Sequence, residues 1–198
     1  MIDTSKSNYV HIIGKIIEEP KFHHEFLGGK FLEATISTMR SSGVIDKINL
    51  IIPSRKLGDD IFINDSVEIF GEIRSHNIHE TESYKVLVFV YCQEILYSIK
   101  NNRDINEVLF KGTLVTKPNY RTTPRGREVS NLTIAINRGY NKSSYIPTIY
   151  WGSFARESQR FKVGDEFICN GRLQSRNYIK DDIMNTAYEV SLSTILHN

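Results

Sequence analysis

The chain has 198 residues, of which 40% are hydrophobic and 24% charged, and a formal net charge of +2; that is enough for one large domain or two small ones, each with a core. No run approaches the ~18 apolar residues of a membrane span, and the opening MIDTSKSNYV has no apolar signal-peptide segment. Cys92 and Cys169, one in each half among apolar residues, read as small buried hydrophobes of a reduced, cytoplasmic protein and not as a disulfide framework.

Strand patterns dominate the first half. The first begins at Tyr9 (YVHIIGKII), is interrupted by Gly14 as a bend would interrupt it, and is closed by Glu18-Glu19-Pro20. After the Gly28-Gly29 turn, Phe31, Glu33, Thr35 and Ser37 alternate with Leu32, Ala34, Ile36 and Thr38, a period of two with one apolar face. DKINLIIP ends at Pro53, SRKLGDDIFI reads as a short helix and turn, DSVEIFGEIRSHNI bends at Gly71, and YKVLVFVYCQEIL is a long last strand. The polar stretch from Ser98 to Asn106 has no periodicity and reads as a linker.

Beyond the linker the same order returns. NEVLFKGTLVTKP matches NYVHIIGKIIEEP, with Gly112 and Pro118 in place of Gly14 and Pro20. VSNLTIAIN matches FLEATISTM, SYIPTIYWGSFARE matches DKINLIIPSRKLGD, and Gly171 of KVGDEFICNGRLQSRNY stands one hundred positions after Gly71. TAYEVSLSTIL matches KVLVFVYCQEIL. Two repeats, 1–100 and 101–198, each of five strands with a short helix between the third and fourth, predict an all-β protein of two tandem five-stranded barrels of the oligonucleotide/oligosaccharide-binding (OB) type. Strand glycines suit the curvature that closes so small a barrel.

The halves differ in chemistry. Residues 1–100 hold 11 Lys and Arg against 14 Asp and Glu, or −3, and residues 101–198 hold 14 against 9, or +5, with nine of those fourteen being Arg. Arg both pairs phosphates and stacks on bases. The stretch NRGYNKSSYIPTIYWGSF, residues 137–154, holds the only tryptophan and three tyrosines around a polar, flexible turn. Rings on strand flanks with cations at the tip suit a single-stranded nucleic acid, whose bases stack and whose phosphates attract positive charge. Half-buried aromatics of an ordinary strand pair explain the same spacing, and the charge of the second half favours the nucleic-acid reading.

The second half also resembles the bacterial single-stranded DNA-binding protein family, nearly end to end over residues 106–196. The marks are an initial Asn before a Gly-broken strand, a closing Pro, a basic Gly turn, LTIAINR, YWG before a short helix, KVGDE, and GRLQSRNY. Residues 8–98 resemble it in outline. The resemblance implies base stacking on Tyr140, Tyr145, Trp151 and Tyr178. It places Arg121, Arg125, Arg127, Arg138, Lys142, Arg172 and Arg176 as phosphate cations, while Arg156, Arg160 and Lys162 read as a solvated face. Pro53, Ile78 and Ser42 stand where the first half would carry the counterparts of Trp151, Tyr178 and Tyr140. The first half is therefore expected to be scaffold, interface or partner site, unless cations such as Lys30, Arg40 and Arg55 cluster against its overall sign. One-barrel members of the family assemble as tetramers, which implies a homodimer for a two-barrel chain. The chain ends at ILHN without the acidic-tipped tail that recruits replication proteins in the family, so a specialised primosome-type or mobile-element relative is expected.

No catalytic motif is present: no P-loop, no H-E-x-x-H, no nucleophile elbow. His76 and His79, followed by Glu80 and Glu82, lack further fixed ligands, and neither a metal nor another cofactor is expected. The sequence thus predicts a non-enzymatic, sequence-tolerant binder of single-stranded DNA acting in replication, recombination or mobile-element maintenance. An OB-fold adaptor that docks polypeptides, and RNA as the ligand, remain the alternatives.

Overall fold

The computed structural model describes residues 7–58, 61–80, 83–97, 103–180 and 182–197. The first half contains β1 (Asn8–Phe26), β2 (Gly29–Met39), β3 (Ile45–Pro53), β4 (Ser66–Glu80) and β5 (Ser83–Tyr97). The second contains β6 (Ile105–Leu114), β7 (Asn119–Thr122), β8 (Glu128–Asn137), β9 (Ser143–Trp151), the helix α1 (Ser153–Glu157), β10 (Glu166–Lys180) and β11 (Ile183–His197).

Strand pairing closes both barrels. In the first, β1 pairs with β2, β2 with β3, β3 with β5, β5 with β4, and β4 returns to β1. In the second the ring runs β6, β8, β9, β11, β10 and back to β6. The closing joints are short: β3 meets β5 in parallel only at Leu50–Val90 and Ile51–Tyr91, and β9 meets β11 at Thr148–Val190 and Ile149–Ser191. The apolar face of each strand fills its barrel, with Ile12, Ile36, Leu50, Ile69 and Cys92 in one and Ile134, Ile146, Tyr150, Phe167 and Cys169 in the other. Both thiols are free and buried, and burial pushes Cys169 up to about 12.

The strand glycines are required by close approach. A Cβ on Gly112 would lie 2.6 Å from the Ala135 carbonyl oxygen, and Gly14, Gly71 and Gly171 meet carbonyls of neighbouring strands more closely still. No side chain fits where a strand bends so sharply across its partner.

Several sequence expectations are corrected. Pro20 does not close the first strand: β1 runs on to Phe26 through register shifts at Ile16/Glu18, Glu18/Lys21 and Phe22/His24. Pro20 falls inside the second shift, where the ladder does not call on its missing N–H. Pro118 does interrupt, and β7, pairing with β8, gives the second half a sixth strand. The short helix expected in SRKLGDDIFI is one 3₁₀ turn at Ser54–Lys56, with Asp59 and Asp60 outside the described residues. Of the expected linker, residues 98–102 lie outside them too, and Ile105 already begins β6.

The barrels join through β1 and β6, which pair antiparallel from Asn8–Phe110 to Ile13–Ile105. Val10 faces Val108, and each stands four residues before its barrel's bend glycine. The junction is therefore a local twofold in which equivalent residues meet. Its repeat shows in detail: the Asn8 amide bonds the backbone of Ile73 at 2.8 and 3.0 Å, and Asn106 bonds that of Leu173 at 2.8 and 2.9 Å.

Candidate nucleic-acid interface

Alternation along β9 sets the first part of the site. Ser144, Ile146, Thr148 and Tyr150 point inward, while Tyr145 and Trp151 are 44% and 36% exposed on the outer face, with Pro147 between them. At the rise of a strand these two rings stand roughly 20 Å apart, room for several bases. Trp151 donates its indole N–H to Ser191 Oγ at 3.2 Å, which ties the ring to β11.

Beside Trp151 runs a groove lined by Arg121, Asn131, Gln174, Arg176, Glu189 and, from the first barrel, Arg40 and Val44. Arg121 donates to Asn131 Oδ1 at 3.0 Å. Arg176 stays 56% exposed, 4.0 Å from Glu189, and its guanidinium lies 5.7 Å from the ring of Tyr178, which is half-buried further along β10. Cation, ring and groove together suit a phosphate chain with stacked bases.

Arg40 reaches the groove because of the twofold. The β2–β3 turn of the first barrel crosses to β10, where Asp46 Oδ1 accepts from the Ser175 N–H at 3.0 Å and Ser175 Oγ accepts from the Lys47 N–H at 2.9 Å. The buried Asp46 also takes two bonds from Arg40, one of 2.6 Å from Nε. Arg172 lies at this crossing near Arg40, with its Nε buried and without a partner among the described residues, and burial followed by the neighbouring Arg40 lowers its pKa. The sequence marked Arg40 as a cation of the first half, and its place as the repeat counterpart of Arg138, 98 positions on, is the further signal that it sits at a crossing turn.

By the same symmetry the β8–β9 turn leaves its own Trp151. Ser144 Oγ accepts from the Ser75 N–H at 3.1 Å in the first barrel, Lys142 Nζ lies 6.0 Å from the Phe26 ring, and Arg138 neighbours Arg74 and Glu72. Tyr140, 99% exposed, caps this turn. The turn is bonded rather than loose: the Arg138 N–H donates to Lys142 O at 2.9 Å and the Lys142 N–H to Gly139 O at 2.9 Å. Thus Arg138, Tyr140 and Lys142 belong to a different part of the surface from Trp151, Arg121 and Arg176.

Arg125 and Arg127 are exposed on the β7–β8 turn, closed by the Gly126 N–H donating to Thr123 O at 2.8 Å. Arg156 is exposed, 66% in its side chain, and from there clamps Glu128 through bonds of 2.9 and 2.6 Å, while Tyr120 donates to the same carboxylate. These bonds, Arg156 first, hold Glu128 down to about 2. Among the described residues no group of three or more His, Cys, Asp or Glu is placed to hold a metal ion, and no helix is long and apolar enough to cross a membrane.

Comparison with known proteins adds a family match for the second half and a shared fold for the whole. Residues 105–197 match the model of the single-strand binding protein family. Single-stranded DNA-binding protein 2 of Listeria innocua is 33% identical over 85 residues, covering 39% of this chain and 54% of that protein. Single-stranded DNA-binding protein A of Bacillus subtilis is 35% identical over 81 residues, 37% of this chain and 47% of its own length. The chain thus spans about half the length of these curated relatives. Over nearly its whole length it shares a fold with the wild-type single-stranded DNA binding protein of Thermus aquaticus, with a TM-score of 0.78 at 19% identity, covering 96% of this chain and 92% of that one.

Proposed function

We propose, from the match of residues 105–197 to the single-strand binding protein family, that this chain binds single-stranded DNA without catalysis and with little regard to sequence. The observation that carries the reading is the groove in which Trp151 stands beside Arg121 and Arg176. Stacking tolerates any base because every base has a π-face, and phosphate contacts are blind to sequence. The second barrel supplies the Trp151 ring and two of the three cations of this groove, Arg121 and Arg176; the first supplies Arg40 and Val44 as its far wall. Tyr145 and Tyr178 extend the stacking surface, and Arg125, Arg127 and Arg172 add positive charge along its edges. The cellular setting is replication, recombination or mobile-element maintenance in the cytoplasm, and the assembled form is a homodimer of four barrels.

The test is quenching of Trp151 fluorescence by oligo-dT. Saturable quenching that high salt reverses supports the reading. An emission unchanged at every oligonucleotide concentration, with the same chain capturing a polypeptide, favours the adaptor alternative.

A further inference from the structure

The first barrel lacks rings at the positions that match Trp151 and Tyr178, yet its outer face carries a different aromatic row. His24 stacks on Phe31 with ring centroids 4.6 Å apart and planes 5° from parallel. Phe31 lies 6.3 Å from Tyr91, and the Arg74 guanidinium covers the Tyr91 ring at 3.7 Å. Burial, and then His23, lower the pKa of His24, so at neutral pH it presents a neutral ring. Two of these positions answer to the groove of the second barrel: Phe31 pairs with Pro53 as Val129 pairs with Trp151, and Tyr91 is the counterpart of Ser191.

Positive charge at this face comes from the other barrel. Arg138 arrives beside Arg74, and among the described residues its Nε is buried without a partner. Its neighbour Arg74 is bonded to Glu72 at 2.9 and 3.1 Å. Arg40, its counterpart, is neutralised by Asp46, but Ser144 occupies the position equivalent to Asp46. Lys142 adds a second cation over Phe26, itself 59% exposed. Acids near this face include Glu72, engaged by Arg74 and Gln93, and Glu33, 3.9 Å from His23.

We propose that this outer face of the first barrel is a second site for single-stranded nucleic acid, built on His24, Phe31 and Tyr91 and completed by Arg138 and Lys142 from the second barrel. Rings without cations would suit an apolar peptide; rings beside two cations from the opposite repeat suit a chain of bases and phosphates. The net charge of −3 over residues 1–100 does not oppose this, because the local charge is set across the junction. The inference rests on the reading of the chain as a strand binder.

The test uses the full chain and a labelled oligo-dT of about eight nucleotides, within the site size of a single OB fold. Anisotropy counts every bound strand, whereas Trp151 quenching reports the second-barrel groove alone. The wild type should bind about two equivalents per chain. Phe31→Ala should weaken one of them by about 10- to 100-fold and leave the Trp151 quenching curve in place. His24→Ala and Lys142→Glu, both on exposed segments that the core does not need, should weaken the same equivalent in a Trp151→Ala background. One equivalent in the wild type, or a second that none of these three variants affects, overturns the proposal. A wild type that binds no oligo-dT at all overturns the strand-binding reading itself, and this inference with it. Capture of a polypeptide at the His24–Phe31 row that oligo-dT does not displace assigns the face to a protein partner instead.

Discussion

At the scale of single residues, Trp151 is exposed enough to stack and tied by one hydrogen bond to Ser191. Trp151→Ala should therefore cost about 1–3 kcal/mol of strand affinity with the fold intact, as read by anisotropy beside circular dichroism. An unfolded variant would make Trp151 a core residue. Glu128 gives a pH prediction with a definite sign. Its carboxyl is held at about 2 in the folded chain against an ordinary 4.5, so the unfolded chain binds the proton first. The Arg156–Glu128 clamp contributes its stability above about 4.5, and that contribution fades as pH falls toward about 2. The urea midpoint of wild type should exceed that of Glu128→Gln at neutral pH, and the gap should close on acidification. A gap that widens on acidification would show that the clamp is not what lowers Glu128.

At the scale of elements, barrel closure depends on strands that bend over one another without a side chain between them. Gly112→Ala puts a methyl 2.6 Å from the Ala135 carbonyl oxygen and equally near Ile134 Cγ2. Neither β6 nor β8 can withdraw cheaply, because β6 is also held by β10 and by β1. We expect a loss of about 1–3 kcal/mol, the usual range for overpacking, measured by urea denaturation. An unchanged midpoint would mean that the junction is more compliant than its geometry indicates. The β8–β9 turn gives the element-scale lesson about function. Its three successive left-handed residues, Gly139, Tyr140 and Asn141, let the chain reverse in a short bonded loop, and that loop carries Arg138 and Lys142 to the other barrel.

At the scale of the molecule, the cations form two groups, each containing residues from both barrels. If four or five of them touch phosphates, the slope of log K against log salt should be roughly −3, taking ~0.7 per contact for single strands. A slope near zero would leave the surface without a phosphate role. Light scattering should give twice the 22.8 kDa chain mass, the homodimer; a clean monomer at micromolar concentration would refute it. The β1–β6 junction already joins two barrels within one chain, so a dimer has to form through another surface.

The sequence alone was sufficient for the tandem repeat, the closed barrels and the outward face of β9, because these follow from local periodicity, glycine spacing and the order of elements. It also marked Trp151, Arg121 and Arg176, which the groove does bring together. It misplaced the end of β1, since the tolerance of a strand for Pro20 depends on bulges in its pairing with β2. It could not show which barrel each turn serves. Arg138, Tyr140 and Lys142 are close in sequence to Tyr145 and Trp151, and adjacency along a chain suggests one site. The tertiary structure decides otherwise, because antiparallel pairing of β1 with β6 sets the barrels about a local twofold and carries each turn across it. Arg40 therefore enters the groove of Trp151, and Arg138 the face of Phe31 and Tyr91, through contacts between residues far apart in sequence.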